Sequence, residues 1–307
     1  MRVSRNRPGT FLSDASVVTI GNYDGVHLGH QRLIDLCRSL AGPNGNVAVV
    51  TFEPLPLAFF GPQSAPARLT SPIERVRLLD EVGVDLVWMQ RFDAKLASME
   101  PQDFIRLVLV ESLGARHVVT GDDFRFGHKR AGDLEMLAAL GAQYGFESHV
   151  ASTLTQDGQR VSSGAIREAL ANSDFETAAR MLGRSYTIRG RVLKGQQLGR
   201  RLGYPTANLK ITALPSPLNG VFAVRARVMG DVWREGVANL GVRPMVEGED
   251  FLLEVHLFDF EGDLYGRKLE VEFVAKLRDE ARFETMADMV GQMKLDEAQA
   301  RKRLGLE

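Results

Sequence analysis

The chain has 307 residues, of which 44% are hydrophobic and 25% are charged, enough to fill the cores of two ordinary globular domains. A net charge of -1 gives no general attraction to nucleic acid or to an anionic membrane, and no apolar run is long enough to cross a bilayer. The basic N-terminal stretch has no apolar run behind it, and the single cysteine, Cys37, excludes an internal disulfide, so we expect a soluble cytoplasmic protein.

Up to residue 183 the sequence alternates short apolar runs with helical patterns. The apolar runs, typical of strands buried on both faces, cover residues 16–21, 46–52, 84–89, 116–121 and 146–151. Helical periodicity covers residues 29–41, 71–83, 101–114 and 133–145. This alternation predicts an open, doubly wound α/β (Rossmann-like) domain over residues 1–183, which would bind ligands at the carboxyl ends of its strands.

From residue 184 the apolar residues recur at every second position. Alternating runs between glycine-rich turns cover residues 186–193, 220–230, 232–241, 251–260 and 268–279. This pattern predicts an antiparallel β-barrel or sandwich over residues 184–307, with an amphipathic C-terminal helix over residues 285–305.

The stretch "GNYDGVHLGH", Gly21 to His30, follows the first predicted strand and leads into the first predicted helix. His27 and His30 therefore lie at a helix N-terminus, where free backbone N–H groups and the helix dipole favour an anion. Gly29 between them lets a ligand approach the backbone. Two imidazole donors suit a polyphosphate better than a metal ion alone, because we find no further zinc ligands at a suitable spacing. Two exposed turn histidines are the alternative interpretation.

Three further stretches would lie at the same edge of the sheet. Thr51–Pro56 ends the second strand with prolines that would shape a pocket wall, and Gly121–Gly127 leaves the fourth strand. Ser162, Ser163 and Arg167 could hold phosphate through hydroxyl and guanidinium donors. Taken singly, these stretches are also compatible with a helix cap and an ordinary turn.

The C-terminal half carries glycines among basic residues: Gly190, Gly195, Gly199 and Gly203. Such a loop can close over phosphates, although it is not a Walker A motif because no "GK[ST]" follows the glycines. Thr206 and Asn208 would point the same way from an extended segment, and their oxygens are hard neutral ligands suited to magnesium shared with ATP. A plain turn is the alternative.

The predicted strand over residues 251–260 carries an acid in its middle. Leu253 and Val255 fall on one face, while Glu254 and His256 fall on the other. Because a buried carboxylate is costly without a partner or a task, we interpret Glu254 as a general base that takes a proton from an attacking hydroxyl. A solvated outer face is the alternative.

These motifs resemble those of a known family. The "HLGH" after the first strand resembles the HxGH signature of the nucleotidylyltransferase superfamily. With "GDDFRFG" and "RVSSGAIR", the N-terminal half resembles that of the bacterial bifunctional riboflavin kinase and FAD synthetase family. The stretch "GQQLGRRLGYPTAN", the strand glutamate and "LRDE" resemble the riboflavin kinase module of the same family. The resemblance covers nearly the whole chain and implies a nucleotidylyltransferase-like domain followed by a kinase barrel.

The resemblance implies two successive reactions. The C-terminal domain would phosphorylate riboflavin with ATP to give FMN, and the N-terminal domain would adenylylate FMN with a second ATP to give FAD and pyrophosphate. ATP would be the co-substrate and Mg²⁺ the metal cofactor. The expected partners are the small molecules riboflavin, FMN, FAD and ATP, with neither nucleic acid nor a membrane, and a weak homo-oligomer is left open.

The resemblance also implies roles for individual residues. The expected catalytic residues are Glu254, His27 and His30. The expected ATP- and phosphate-binding residues are Asn22, Gly29, Ser162, Ser163, Arg167, Gly195 and Gly203. The expected flavin-binding residues are Phe52, Asp123, Phe124 and Arg278, and the expected magnesium ligands are Thr206 and Asn208.

The sequence departs from the family pattern at several positions. Tyr23 stands where the family commonly has Phe, Leu55 takes a frequent His position, and Met245 takes the place of a usual Thr. Gly164 replaces a Thr in the usual "SST", which removes one hydroxyl near the phosphates. A riboflavin kinase with weakened or lost adenylyltransferase activity is therefore an alternative. Nucleotidyl transfer to another acceptor, and flavin binding without turnover, are the other two.

Overall fold

The computed structural model describes residues 1–14, 16–194, 203–211, 215–245 and 248–306, without the side chains of residues 242–250. The chain divides into two compact units, and each unit consists of two separate stretches of the sequence. The first comprises Met1–Pro66 and Pro72–Ser163, and the second comprises Ala67–Ser71 and Gly164–Glu307. The domain boundary at residue 183 stays a prediction.

The first unit contains a six-stranded sheet in which all pairs of neighbouring strands run parallel. Its strands are β1 (Arg2–Ser4), β2 (Ser16–Ile20), β3 (Asn46–Glu53), β4 (Leu86–Arg91), β5 (His117–Gly121) and β6 (Glu147–Ala151). Their spatial order is β1-β4-β3-β2-β5-β6. The order changes direction between β2 and β5, so the loops that follow these two strands flank the crevice where such sheets bind ligands.

Helices cover both faces of this sheet, as the sequence predicts for a doubly wound domain. They are α1 (Leu28–Ala41), α2 (Pro56–Phe60), α3 (Pro72–Glu81), α4 (Ala94–Ala97), α5 (Pro101–Phe104), a π-helix over Ile105–Ser112 and α6 (Leu134–Tyr144). Val18 and Val118 pack on one face with the π-helical Leu109, while Val119 packs on the other face with Cys37 of α1. The central residues of β2, β3, β4 and β5 are buried on both faces, whereas the edge strands β1 and β6 are partly exposed.

The second unit is built around a closed antiparallel barrel, which confirms the barrel rather than the sandwich. Its strands are β9 (Thr187–Leu193), β10 (Ala207–Lys210), β11 (Gly220–Val228), β12 (Arg234–Met245), β13 (Gly248–Leu257) and β14 (Lys268–Arg278). A short hairpin of the first unit, β7 (Thr155–Gln156) and β8 (Gln159–Arg160), precedes α7 (Ser163–Ala171) and α8 (Phe175–Leu182), which belong to the second unit apart from Ser163. The C-terminal helix is α9, Met286–Leu304.

Apolar side chains fill the interior of the barrel. Phe222, Leu253 and Val255 are each at most 1% exposed. On the outer face, Ala300 and Leu304 of α9 form a second apolar cluster with side chains of β11, β12 and β14. Among the residues that the structure describes, no helix combines the length and the apolar character needed to span a membrane.

One buried carboxylate ties three barrel strands together. Glu270 on β14 accepts from Arg189 Nε on β9 at 2.8 Å and from Arg227 Nε on β11 at 2.9 Å. Burial by itself raises the pKa of Glu270, but the two guanidinium groups outweigh it and hold the pKa below its ordinary value. The charge therefore contributes stability above the ordinary glutamate pKa, and this contribution is lost as the pH falls through the lowered one.

We expect Glu270→Gln to lower the free energy of unfolding by about 3 kcal/mol, because the substitution removes the buried negative charge that both arginines bind. Urea unfolding at neutral pH measures this loss. Glu261→Gln, at an exposed glutamate beyond β13, is the matched control and should change stability by less than about 0.5 kcal/mol. Equal effects of the two substitutions would contradict a structural role for the Glu270 cluster.

Candidate active sites

The loop between β2 and α1 is held in a strained conformation. Tyr23, Gly25 and Val26 have φ of 51°, 87° and 42°, and a β-branched residue such as Val26 rarely adopts such a value. The loop is pinned by a 2.6 Å hydrogen bond between the hydroxyls of Tyr23 and Thr19, and by donation from the Ser163 hydroxyl to the Asp24 carbonyl at 2.9 Å. Such strain persists only where surrounding contacts enforce it, which is common at functional sites.

This loop delivers two histidines to the start of α1. His27 is the N-cap, and its Nδ1 accepts from the backbone N–H of His30 at 3.3 Å. A neutral His27 ring therefore carries its proton on Nε2, where it can donate to a ligand. The two rings stack with centroids 3.7 Å apart. A side chain at Gly29 would meet the His27 ring at 3.1 Å, so this glycine also makes room for the ring.

The His30 ring is uncharged at neutral pH. Burial, together with the neighbouring charges of His27 and Arg75, holds its pKa well below the ordinary value. Its Nδ1 is buried and has no hydrogen-bond partner within the described part of the chain. Because an unpartnered buried nitrogen is costly, this atom is suited to contact a ligand.

We expect the stability of the protein to fall as the pH drops below about 6.5, the ordinary histidine pKa. In that range the unfolded chain binds a proton that folded His30 does not, so acidification favours unfolding by at most about 1.4 kcal/mol per pH unit. Urea unfolding at a series of pH values, with His30→Gln beside the wild type, measures this component. An unchanged slope in the variant would contradict it.

A cavity of about 560 Å³ opens beside the histidines at the carboxyl ends of the strands. Aromatic side chains form much of its lining: Phe52, Phe60, Phe92, Phe104, Phe124 and Phe126. Phe52 meets Phe92 edge to face at 5.7 Å, while Phe124 stacks on Phe126 at 5.5 Å. This lining is suited to a flat ring system, because planar ligands gain area and stacking energy against aromatic faces.

Cationic side chains line the same cavity: Arg32, Arg125, Lys129, Arg130 and Arg160. Lys129 and Arg130 follow one another with φ of 52° and 60°, an uncommon conformation for residues other than glycine. Asp123 also lines the cavity and pairs with Arg160 at 2.7 Å. Cations beside a helix N-terminus favour a polyphosphate ligand.

The second site lies on the outer face of the barrel, where three strands run side by side. Glu254 on β13 lies directly opposite Asn208 on β10 and Asn239 on β12. Side chains opposite one another share a face, with Cβ atoms about 4.5–5.5 Å apart. Neither amide Oδ1 accepts a hydrogen bond from any residue that the structure describes, although both atoms are buried. These oxygens are suited to a cation or to a ligand hydroxyl.

Glu280 adds a second carboxylate beside this row of residues. The Asn239 amide donates to Glu280 Oε1 at 3.3 Å. A Cβ at Gly241 would lie 2.0 Å from that oxygen, so any other residue there would displace the carboxylate from this position. Next to the row, His256 contacts the Pro205 carbonyl through Nδ1 at 2.9 Å, which holds the segment before Thr206 against β13.

Comparison with known proteins shows the family to which the chain belongs. The family model for FAD synthetase matches residues 12–165, and the model for riboflavin kinase matches residues 182–304. The protein named bifunctional riboflavin kinase/FMN adenylyltransferase from Escherichia coli (strain K12) is 43% identical over 294 residues, covering 95% of this chain and 94% of that protein. The chain belongs to this bifunctional family.

Another member of the family and one solved structure are similar to this chain over most of its length. The protein of the same name from Pseudomonas fluorescens is 46% identical over 287 residues, covering 93% of this chain and 92% of that protein. A crystal structure described as a macrolide-efflux protein from Streptococcus pneumoniae superimposes with a TM-score of 0.80 at 27% identity, covering 98% of this chain and 99% of that one.

In the FAD synthetase region, the structure brings most of the predicted residues to one cavity: Asn22, His27, Gly29, His30, Phe52, Asp123, Phe124, Ser162 and Ser163. Arg167 belongs to the second unit, where its Nε donates to the Ala67 carbonyl. Its contact with phosphate stays a prediction, as do the individual roles of the other residues.

In the riboflavin kinase region, Asn208 and Glu254 lie opposite one another, with Thr206 two residues before Asn208. Arg278 binds the Asp296 carboxylate of α9 through two hydrogen bonds of 2.9 and 2.8 Å, so it fastens the helix to β14. Its contact with the flavin stays a prediction. Gly203 is described, with φ 84°, whereas Gly195 lies outside the described residues.

Sequence reasoning missed several residues that line these sites. Lys129 and Arg130 come one residue after the quoted "GDDFRFG", and these two consecutive cations were the available signal. Asn239 and Glu280 come from stretches without a motif, and only the pairing of strands brings them beside Glu254.

Proposed function

We propose that this chain carries out both reactions of its family. Riboflavin and ATP give FMN and ADP at the barrel, and FMN and a second ATP give FAD and pyrophosphate at the parallel sheet. The observation that carries the proposal is the presence of two separate sites on one chain. One is a stacked histidine pair beside an aromatic, cationic cavity, and the other is a strand glutamate between two asparagines.

For the first reaction, Glu254 takes the proton from the 5′-hydroxyl of riboflavin, and the resulting oxygen attacks the γ-phosphorus of ATP. The Asn208 amide oxygen and the Thr206 hydroxyl are suited to hold Mg²⁺, because the former is buried without a donor and both are hard neutral oxygens. When bound, Mg²⁺ would offset negative charge on the phosphates. Asn239 and Glu280, which are joined by a hydrogen bond, would help to orient the polar side chains that surround Glu254.

For the second reaction, the phosphate of FMN attacks the α-phosphorus of ATP without a covalent enzyme intermediate. His27 donates through Nε2 to the phosphate oxygens, and His30 contributes a neutral imidazole beside it. Lys129, Arg130 and the N-terminus of α1 stabilise the departing pyrophosphate charge. Catalysis then comes from positioning and electrostatics.

A product assay tests this proposal directly. The full chain is incubated with riboflavin, ATP and Mg²⁺, and flavins are separated by chromatography at intervals. We expect FMN to appear first and FAD to follow. Accumulation of FMN without FAD would support the alternative of a weakened adenylyltransferase, and Gly164→Thr would then be tested for recovery of FAD formation.

The cytoplasmic location and a weak homo-oligomer also stay predictions.

A further inference from the structure

Three side chains of types that can ligate a metal meet at the edge of the parallel sheet opposite the cavity. His117 begins β5, Glu147 begins β6, and His149 follows two residues later on β6. Since β5 and β6 run parallel, these residues lie at the amino edge of the sheet, whereas the cavity lies at the carboxyl edge. The proposed flavin chemistry therefore uses none of them.

The pairing of the strands places all three side chains on one face. His117 lies opposite Glu147, and Val119 lies opposite His149. Because side chains alternate along a strand, His117, Glu147 and His149 share the face on which Val119 packs with α1. This juxtaposition of two imidazoles and a carboxylate is fixed by the backbone.

The distances fit a tetrahedral ion. His117 Nδ1 and His149 Nε2 are 3.1 Å apart, and Glu147 Oε2 lies 3.6 and 3.7 Å from them. Ligand atoms about 2.0–2.2 Å from a tetrahedral zinc ion are separated by about 3.3–3.5 Å. The observed separations bracket this range, so an ion would need shifts of only a few tenths of an ångström.

We propose that His117, Glu147 and His149 bind a divalent transition-metal ion of the zinc class, with solvent completing the coordination. Imidazole nitrogen favours zinc, nickel or copper over magnesium, which prefers oxygen ligands. The side chains of His117 and His149 are 27% and 26% exposed and that of Glu147 is 73% exposed, so an ion can enter from solvent. The site would fasten β6, an edge strand, to β5.

Calorimetric titration of the full, metal-free chain with Zn²⁺ tests the proposal. We expect His149→Gln to weaken zinc binding on the order of 100-fold and Glu147→Gln on the order of tenfold, because each substitution removes one ligand. His128→Gln, at a histidine outside the cluster, is the matched control. Zinc should also raise the melting temperature of the wild type but not of His149→Gln.

Two further arms keep the interpretation unambiguous. Co²⁺ in place of Zn²⁺ should give the intense visible absorption of a tetrahedral site in the wild type, and this band should vanish in His149→Gln. His27→Gln removes the only other histidine pair among the described residues. If zinc binding survives His149→Gln and Glu147→Gln but is lost in His27→Gln, the ion binds at the cavity and the proposal is overturned. Absence of zinc binding by the wild type would overturn it equally.

Discussion

Glu254→Gln is expected to stop the conversion of riboflavin to FMN while FMN added from outside is still converted to FAD. The amide keeps the shape of the side chain and its place opposite Asn208 and Asn239, but it cannot accept the proton of the attacking hydroxyl. Loss of a positioned general base typically costs about 10²–10⁴-fold in rate. Each half-reaction is measured separately, with riboflavin or with FMN as the starting flavin.

Glu272→Gln is the matched control, because Glu272 is also a half-buried glutamate on a barrel strand, β14. It should leave both half-reactions within about twofold of the wild type. If Glu254→Gln retains more than about a tenth of the kinase rate, another group takes the proton, and Glu280 is then the first residue to substitute because of its hydrogen bond to Asn239.

His30→Gln is expected to impair adenylyl transfer and to leave the kinase reaction unchanged. FMN should form at the wild-type rate, and adenylyl transfer to FMN should fall by about 10²–10³-fold, the usual loss when one preorganised donor is removed from a charged transition state. The substitution also breaks the stacking of His30 on His27 at 3.7 Å, which disturbs the second donor. Single-turnover formation of FAD from FMN and ATP measures the effect.

His128→Gln serves as the control for this experiment, because His128 lies in the same unit with its Nδ1 near the Ala97 carbonyl at 3.2 Å. Both variants must retain the wild-type rate of FMN formation for the comparison to be valid. A His30→Gln protein that forms FAD at the normal rate would remove the histidine pair from the proposed mechanism.

The sheet of the first unit was largely predictable because strands buried on both faces are continuous apolar runs. The runs predicted for β2 to β6 correspond to strands, whereas β1 was missed because Arg2–Ser4 is short and mostly polar. The helix predicted over residues 101–114 contains a π-helix over Ile105–Ser112. Its apolar spacing does not distinguish the two helix types, because hydrogen bonding rather than side-chain pattern defines them.

The sites were predictable where the residues are close in sequence. His27 and His30 lie three residues apart at a helix start, and that position alone indicates an anion site. Asn239 was not predictable, because its place beside Glu254 depends on the register between β12 and β13. The same holds for His117 and His149, which are 32 residues apart and meet only through the pairing of β5 with β6.

The place of the segment Ala67–Ser71 in the fold affects the order in which this protein can fold during its synthesis. It belongs to the second unit, where the Tyr186 hydroxyl donates to the Leu69 carbonyl across 117 residues. At about 5–20 residues per second, a ribosome needs on the order of ten seconds to add that length of chain. The hydrogen bond between Leu69 and Tyr186 can therefore form only after Tyr186 has been added to the chain. No single cut in the gene would give two reading frames that each encode a whole unit.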